Sequence, residues 1–275
     1  MKNNPFVLIF AALFMVAGLS SCRSEFEQIR TSGDSKRVDD SAMAYYDAGE
    51  YSKAQTLLEI CISNFRGMKE AEDIYFKYSY TYYYLQNYIM SSYYFSNFSQ
   101  TYSTSSLRED ADFMSAYSNY LLSPTFRLDQ TYTQKAIDEL QLFVNTYPFS
   151  ERVTECNRLM DELRKKQEKK VFDSGKLYYD IRQYQAAIQT FDNLLKDFPD
   201  TSNPDEVRYF IVKSAYQYAV NSVVLRKEER FRETLSKAEL FLKKYPDSTY
   251  SSEVRSIVAD TNQQLKQLED VRYQN

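Results

Sequence analysis

The chain of 275 residues has no histidine and no tryptophan, and only 5 glycines, 6 prolines and 3 cysteines. Without histidine there is no Ser-His-Asp triad, no histidine zinc site and no imidazole acid–base chemistry. So few glycines leave no material for a phosphate-cradling loop. So few chain breakers argue against an all-β sandwich, which needs many tight turns. Acidic residues outnumber basic ones, for a net charge of −4, so the basic face that nucleic acid demands is not expected. The adjacent acidic pairs Glu109/Asp110 and Glu228/Glu229 would point about 100° apart on a helix and cannot converge on one substrate atom. Asp34, Asp39 and Asp40 lack the spacing of a calcium loop. No catalytic residue, metal or cofactor is therefore expected, and the chain reads as a non-enzyme. What it does have is 43% apolar and 26% charged residues, a globular composition, and 26 tyrosines that must pack somewhere.

The N-terminus reads as an address. Lys2 precedes an apolar run from Phe6 to Leu19, short of the roughly 20 residues a membrane span needs but suited to a signal peptide. It ends in Leu19-Ser20-Ser21-Cys22, which resembles the lipobox of bacterial lipoproteins. That resemblance implies a signal peptide over 1–21, cleavage before Cys22, and acylation of its thiol and new amine. Arg23 stands where an aspartate would, by the same resemblance, retain a lipoprotein in the inner membrane, so the outer membrane is expected. Residues 22–40 are polar and read as a lipidated tether. Export permits a disulfide between Cys61 and Cys156, but they fall in different repeats and read as two small buried thiols.

The body is a repeat. Five segments end in an aromatic residue, three of them followed by proline: Phe65, Tyr102, Tyr147-Pro148, Phe198-Pro199 and Tyr245-Pro246. Eleven residues earlier stand Ala54, Ser91, Ala136, Ala187 and Thr234, all small. Seven earlier stand Leu58, Phe95, Leu140, Phe191 and Ala238, and four earlier Cys61, Phe98, Phe143, Leu194 and Phe241. Those offsets mark one face of a helix, with a small residue where another helix comes close. Gly49-Glu50-Tyr51-x-x-Ala54 resembles the turn and second helix of a tetratricopeptide repeat. Arg182-Gln183-Tyr184-x-Ala186-Ala187 resembles the same turn without its glycine, and Gly175 and Tyr178 match the small and aromatic positions of the helix before it. The prolines match the repeat's closing residue, which stops a helix because it lacks an N–H.

The expected fold is all-α: a right-handed superhelix of about five tetratricopeptide-like helix pairs plus a C-terminal capping helix. About three repeats occupy 41–148, and about two, with the cap, occupy 149–275. Residues 122–132 read as an inserted loop and 150–181 as one extended helix. The tyrosine-rich stretch from Ile74 to Phe95 partly alternates like a strand, yet the repeat register makes it helical. The basic run Arg164–Lys170 reads as a solvated helix face or as a contact for an acidic partner.

In such repeats the first helix of each pair lines an extended groove, which places Tyr46, Phe76, Tyr80 and Tyr83 there as peptide-groove candidates. The same rings would also serve simply as packing between helices. The lipobox, tether and five repeats, with Tyr178-Tyr179-x-x-Arg182-Gln183-Tyr184-x-x-Ala187, together resemble the BamD family. Its members are lipoproteins of the machine that folds β-barrel proteins into the outer membrane. The resemblance implies lipid anchoring through Cys22 at the periplasmic face. It also implies docking of the C-terminal repeats on a BamA-like barrel subunit, and capture of unfolded outer-membrane proteins by the N-terminal groove. The alternative is a periplasmic tetratricopeptide lipoprotein scaffold for other cell-envelope machinery. Glycan-capturing lipoproteins with similar repeats are longer and usually present tryptophan platforms, which this chain lacks.

Overall fold

The structure, a computed structural model, describes residues 24–274, with side chains through 270. The expected signal peptide and Cys22 lie outside the described residues. Twelve helices and no strand occur among the described residues: α1 (Glu25–Arg30), α2 (Ser35–Asp47), α3 (Tyr51–Asn64), α4 (Ala71–Tyr84), α5 (Tyr88–Thr101), α6 (Arg108–Leu122), α7 (Thr131–Thr146), α8 (Val153–Asp180), α9 (Tyr184–Asp197), α10 (Pro204–Val220), α11 (Val224–Lys244) and α12 (Ser251–Gln274). From α2 to α11 they form five consecutive tetratricopeptide-like pairs, and α12 follows as the single terminal helix. The tyrosine-rich stretch is helical, in α4 and α5, and the long helix and the loop between α6 and α7 stand where the sequence places them.

The second helix of every pair buries the positions that the repeat spacing singles out. Ala54, Leu58 and Cys61, Ser91, Phe95 and Phe98, Ala136, Leu140 and Phe143, Ala187, Phe191 and Leu194, and Thr234, Ala238 and Phe241 are each at most 2% exposed. Burying each large side chain among these contributes about 1.5–3 kcal/mol. The small residue at the head of each set lets the neighbouring helix approach.

Three of the turns within pairs share one hydrogen-bond pattern. The N–H of Glu50 reaches the carbonyl of Tyr45 and that of Gly49 the carbonyl of Tyr46. Asn87 and Gln86 do the same to Tyr82 and Tyr83, and Gln183 and Arg182 to Tyr178 and Tyr179. This Schellman closure requires a left-handed residue after the helix. Gly49 supplies it at φ 76°, whereas Gln86 and Arg182 adopt it at 59° and 63° despite their side chains.

The chain divides into two compact units. Of the described residues, the first holds those up to Leu122 together with Lys135–Cys156; the second holds Ser123–Gln134 and those from Asn157 onward. The expected division at 148/149 therefore moves. Residues 123–134 join the second unit because α8 holds them: Lys166 donates to the Ser123 hydroxyl at 2.7 Å and Lys170 to the Leu128 carbonyl at 2.6 Å.

The expected tether over 22–40 needs correction as well. Its described part is mostly helical. Ser24 caps α1 by accepting from the N–H of Glu27, and Asp34 caps α2 by accepting from that of Arg37. Ile29 and Val38, 6% and 2% exposed, join Ala42, Leu57, Leu58, Cys61 and Ile74 in the core of the first unit. Two inward apolar residues and two caps outweigh a polar composition.

Candidate functional site

The first helices of the first three pairs present tyrosines at helical spacing: Tyr46 on α2, Tyr80, Tyr83 and Tyr84 on α4, and Tyr117 and Tyr120 on α6. Residues three and four apart share a helix face, so each set projects together. The rings then meet across helices. Tyr51, the first residue of α3, stacks on Tyr84 with centroids 4.2 Å apart. Tyr46 meets Tyr51 at 5.7 Å and Tyr84 at 6.2 Å. Tyr84 continues to Tyr80 at 5.8 Å and Tyr83 at 5.5 Å. Tyr83 reaches Tyr88 at 5.9 Å and Tyr117 at 6.3 Å, and Tyr117 stacks on Tyr120 at 5.7 Å. The result is an unbroken ribbon of eight phenol rings within the first unit. Seven are half-buried and Tyr84 is 43% exposed, so the ribbon is supported from below and open above.

Of the four candidates, the structure brings Tyr46, Tyr80 and Tyr83 into this ribbon. Phe76 adjoins them: its ring is half-buried like theirs and lies 5.1 Å from Tyr80, and it also packs 5.9 Å from Phe95 and 5.2 Å from Phe98, both fully buried. The register alone missed Tyr51, Tyr84, Tyr88, Tyr117 and Tyr120. The i, i+3 and i, i+4 spacings of Tyr80, Tyr83 and Tyr84 were the signal that could have found Tyr84. A second group, Tyr78, Tyr82 and Tyr94, belongs to packing. Tyr82 stacks on Tyr94 at 4.8 Å, the Tyr78 and Tyr82 hydroxyls bond at 2.9 Å, and all three pack in the core of the first unit.

The ribbon is chemically quiet. Burial pushes the Tyr80 hydroxyl up to about 12, with the Asp110 carboxylate adding to it. Burial likewise raises Tyr46, with Tyr84 and Tyr80 next in effect. These groups hold their protons at neutral pH and offer hydrogen bonds, not nucleophiles. Beside them, Arg152 lies 4.3 Å over the Phe113 ring and donates to Asp110 at 2.6 Å.

Other sequence candidates find structural roles. Cys61 and Cys156 are free and fully buried. Burial pushes their thiols up to about 12 and 11, which suppresses the reactive thiolate. Glu228 pairs with Arg232 and Glu229 with Arg226. The basic run is only partly a solvated face, since Lys166 and Lys170 tie down the loop and Lys169 lies 4.6 Å over the Phe126 ring. Tyr178 is 39% exposed, and its neighbour Tyr179 packs inward instead, 5.6 Å from Tyr184. Among the described residues no group of three or more Cys, Asp and Glu could hold a metal ion, and no helix is long and apolar enough to cross a membrane.

The family model of YfiO, an outer membrane lipoprotein, matches residues 32–206 and 167–271. No curated protein matches the sequence. Among solved structures, the TPR2AB-domain:pHSP90 complex of yeast Sti1 is similar at 10% identity and a TM-score of 0.39, over 83% of this chain and 98% of that one.

Proposed function

The chain belongs to the YfiO family of outer membrane lipoproteins, and from that premise we propose that it is a non-catalytic subunit of the machinery that inserts β-barrel proteins into the outer membrane. Lipid on Cys22 holds it at the periplasmic face. The C-terminal repeats dock a BamA-like barrel subunit. The N-terminal repeats receive unfolded barrel proteins through their aromatic-ended terminal strand.

The observation that carries this reading is the tyrosine ribbon. An extended strand exposes backbone donors and acceptors along its length and side chains at alternate positions. Tyrosine meets both: the ring supplies broad apolar contact at low side-chain entropy, and the hydroxyl pairs with the backbone. Ring-to-ring contacts add about 0.5–1.5 kcal/mol each, so a few of them suit a client that must be gripped and then released.

The test is binding of a fluorescent peptide bearing the aromatic terminal strand of a barrel protein, followed by anisotropy. Replacing Tyr46, Tyr80 and Tyr83 together by Ala weakens binding about tenfold or more, equivalent to at least 1.4 kcal/mol. Unchanged affinity in a variant with native helix content sinks the proposal.

A further inference from the structure

The turns within the last two pairs carry apolar side chains that the reading above leaves unused. Val223, Val224 and Leu225, where α11 begins, are 70%, 71% and 94% exposed, and Tyr178 and Ile181, at the end of α8, are 39% and 55% exposed. The two turns stand side by side. Tyr218, near the end of α10, donates its hydroxyl at 3.0 Å to Gln185, in the first turn of α9. The tip is also held rather than frayed: Arg230 lies 3.8 Å over the Tyr218 ring and donates to the Ser222 hydroxyl.

The surrounding charges are mixed, with a small cationic excess. Arg182 occupies the left-handed position of one turn, and Arg226 and Lys227 follow Leu225 within the first turns of α11; of the acidic neighbours, Glu228 and Glu229 are paired with Arg232 and Arg226, which leaves Asp180 beside Ile181. The start of α11 has no acidic residue in its first turn and no side chain capping it, so its amides and the positive end of its dipole face outward. We infer that this edge of the second unit seats on an anionic phospholipid bilayer. Val223, Val224 and Leu225 enter the interfacial region, while Arg182, Lys227 and the open helix start meet headgroup phosphates.

The shape selects a bilayer over a protein partner. An apolar projection needs a matching hole in a protein, whereas a bilayer accepts any apolar knob of this size. Tyrosine beside such a knob suits the interface, where its ring and hydroxyl are both satisfied. Cations on long stems reach phosphates while their stems cover apolar surface. Membership of an outer membrane lipoprotein family puts a bilayer within reach.

The chain contains no tryptophan, so Leu225→Trp places a single indole at the tip. The full chain, purified from membranes and reconstituted into phosphatidylethanolamine–phosphatidylglycerol vesicles, is compared with the same chain in detergent-free buffer containing an amphipathic polymer. In vesicles the emission moves to the blue, and bromines on the upper acyl chain quench it about twofold, as expected for residues some 5–10 Å into the interface. Adding Val224→Asp to this variant abolishes both effects. Leu240→Trp, exposed on the body of α11, shows neither. An unchanged Leu225→Trp spectrum overturns the proposal. So does equal quenching at Leu240→Trp, or a shift that depends on a copurifying protein and not on lipid.

Discussion

Tyr51 and Tyr84 stack almost face to face, with ring planes 14° apart and centroids at 4.2 Å. Tyr51 opens the second helix of the first pair and Tyr84 closes the first helix of the second, so this contact joins two repeats on the ribbon itself. Tyr84→Ala removes the stack and costs about 0.5–1.5 kcal/mol beyond lost area, lowering Tm by about 1–6 °C in a chain of this size. Tyr84→Phe keeps the ring and loses only the hydroxyl's hydrogen bond to Tyr46, so its Tm falls less than that of Tyr84→Ala. A calorimetric scan of both variants checks the pair, and equal losses from the two would show that the hydroxyl, not the stack, matters.

Gly175 of α8 lies directly against the Phe191 ring of α9. A Cβ there would lie 2.6 Å from the Phe191 ring. That ring is fully buried, with Phe172 at 5.7 Å and Phe210 at 5.5 Å, so it has nowhere to move. Overpacking costs about 1–3 kcal/mol, and the better helix propensity of alanine returns at most about 1 kcal/mol. Gly175→Ala therefore destabilises by about 1–2 kcal/mol in urea unfolding. Phe191→Leu in the same chain reduces that penalty, because the smaller side chain vacates the space.

Gln86 holds a left-handed conformation at φ 59° where the equivalent turn of the first pair uses glycine. Left-handed backbone costs a side-chain-bearing residue about 1–2 kcal/mol, and glycine loses about 0.5–1 kcal/mol more chain entropy on folding. Gln86→Gly is therefore stabilising by about 0.5–1 kcal/mol. Gly49→Ala, at φ 76° with open space around it, is destabilising through backbone strain alone. Urea midpoints of the two variants should move in opposite directions.

The buried tyrosines set an alkaline limit. Burial raises Tyr75 to about 12, as it does Tyr80, against an ordinary value of 10.0. Between those values the unfolded chain has released protons that the folded chain still holds, so stability falls as pH rises. The contribution is fully present below pH 10 and is lost as pH climbs through about 12. Urea midpoints taken across that window should fall steadily, together with a late rise of tyrosinate absorbance in the native protein. A flat midpoint would contradict this.

Much of the fold was legible because each repeat states its own packing. The small residue and the two apolar residues of every second helix are all buried, and no tertiary information was needed to name them. The polar stretch before residue 41 was not legible, since Ile29 and Val38 become core only once two capped helices bring them against Leu57 and Ile74. The ribbon was half legible. Tyr46, Tyr83 and Tyr120 recur at an interval of 37 residues, as do Tyr80 and Tyr117, so the spacing of the first three first helices was written in the tyrosines. Phe76 fits the same register, and its ring packs against Tyr80 as well as against the buried Phe95 and Phe98.

The most direct test of the central claim is to place a photo-crosslinking amino acid at Tyr83 in the cell of origin and identify what is captured on irradiation. The account predicts unfolded outer-membrane β-barrel proteins joined through their terminal strand, with a large barrel subunit copurifying with the uncrosslinked chain. Capture of cell-wall enzymes or of other envelope proteins, with no barrel client and no barrel subunit, would contradict it while leaving the repeat fold intact.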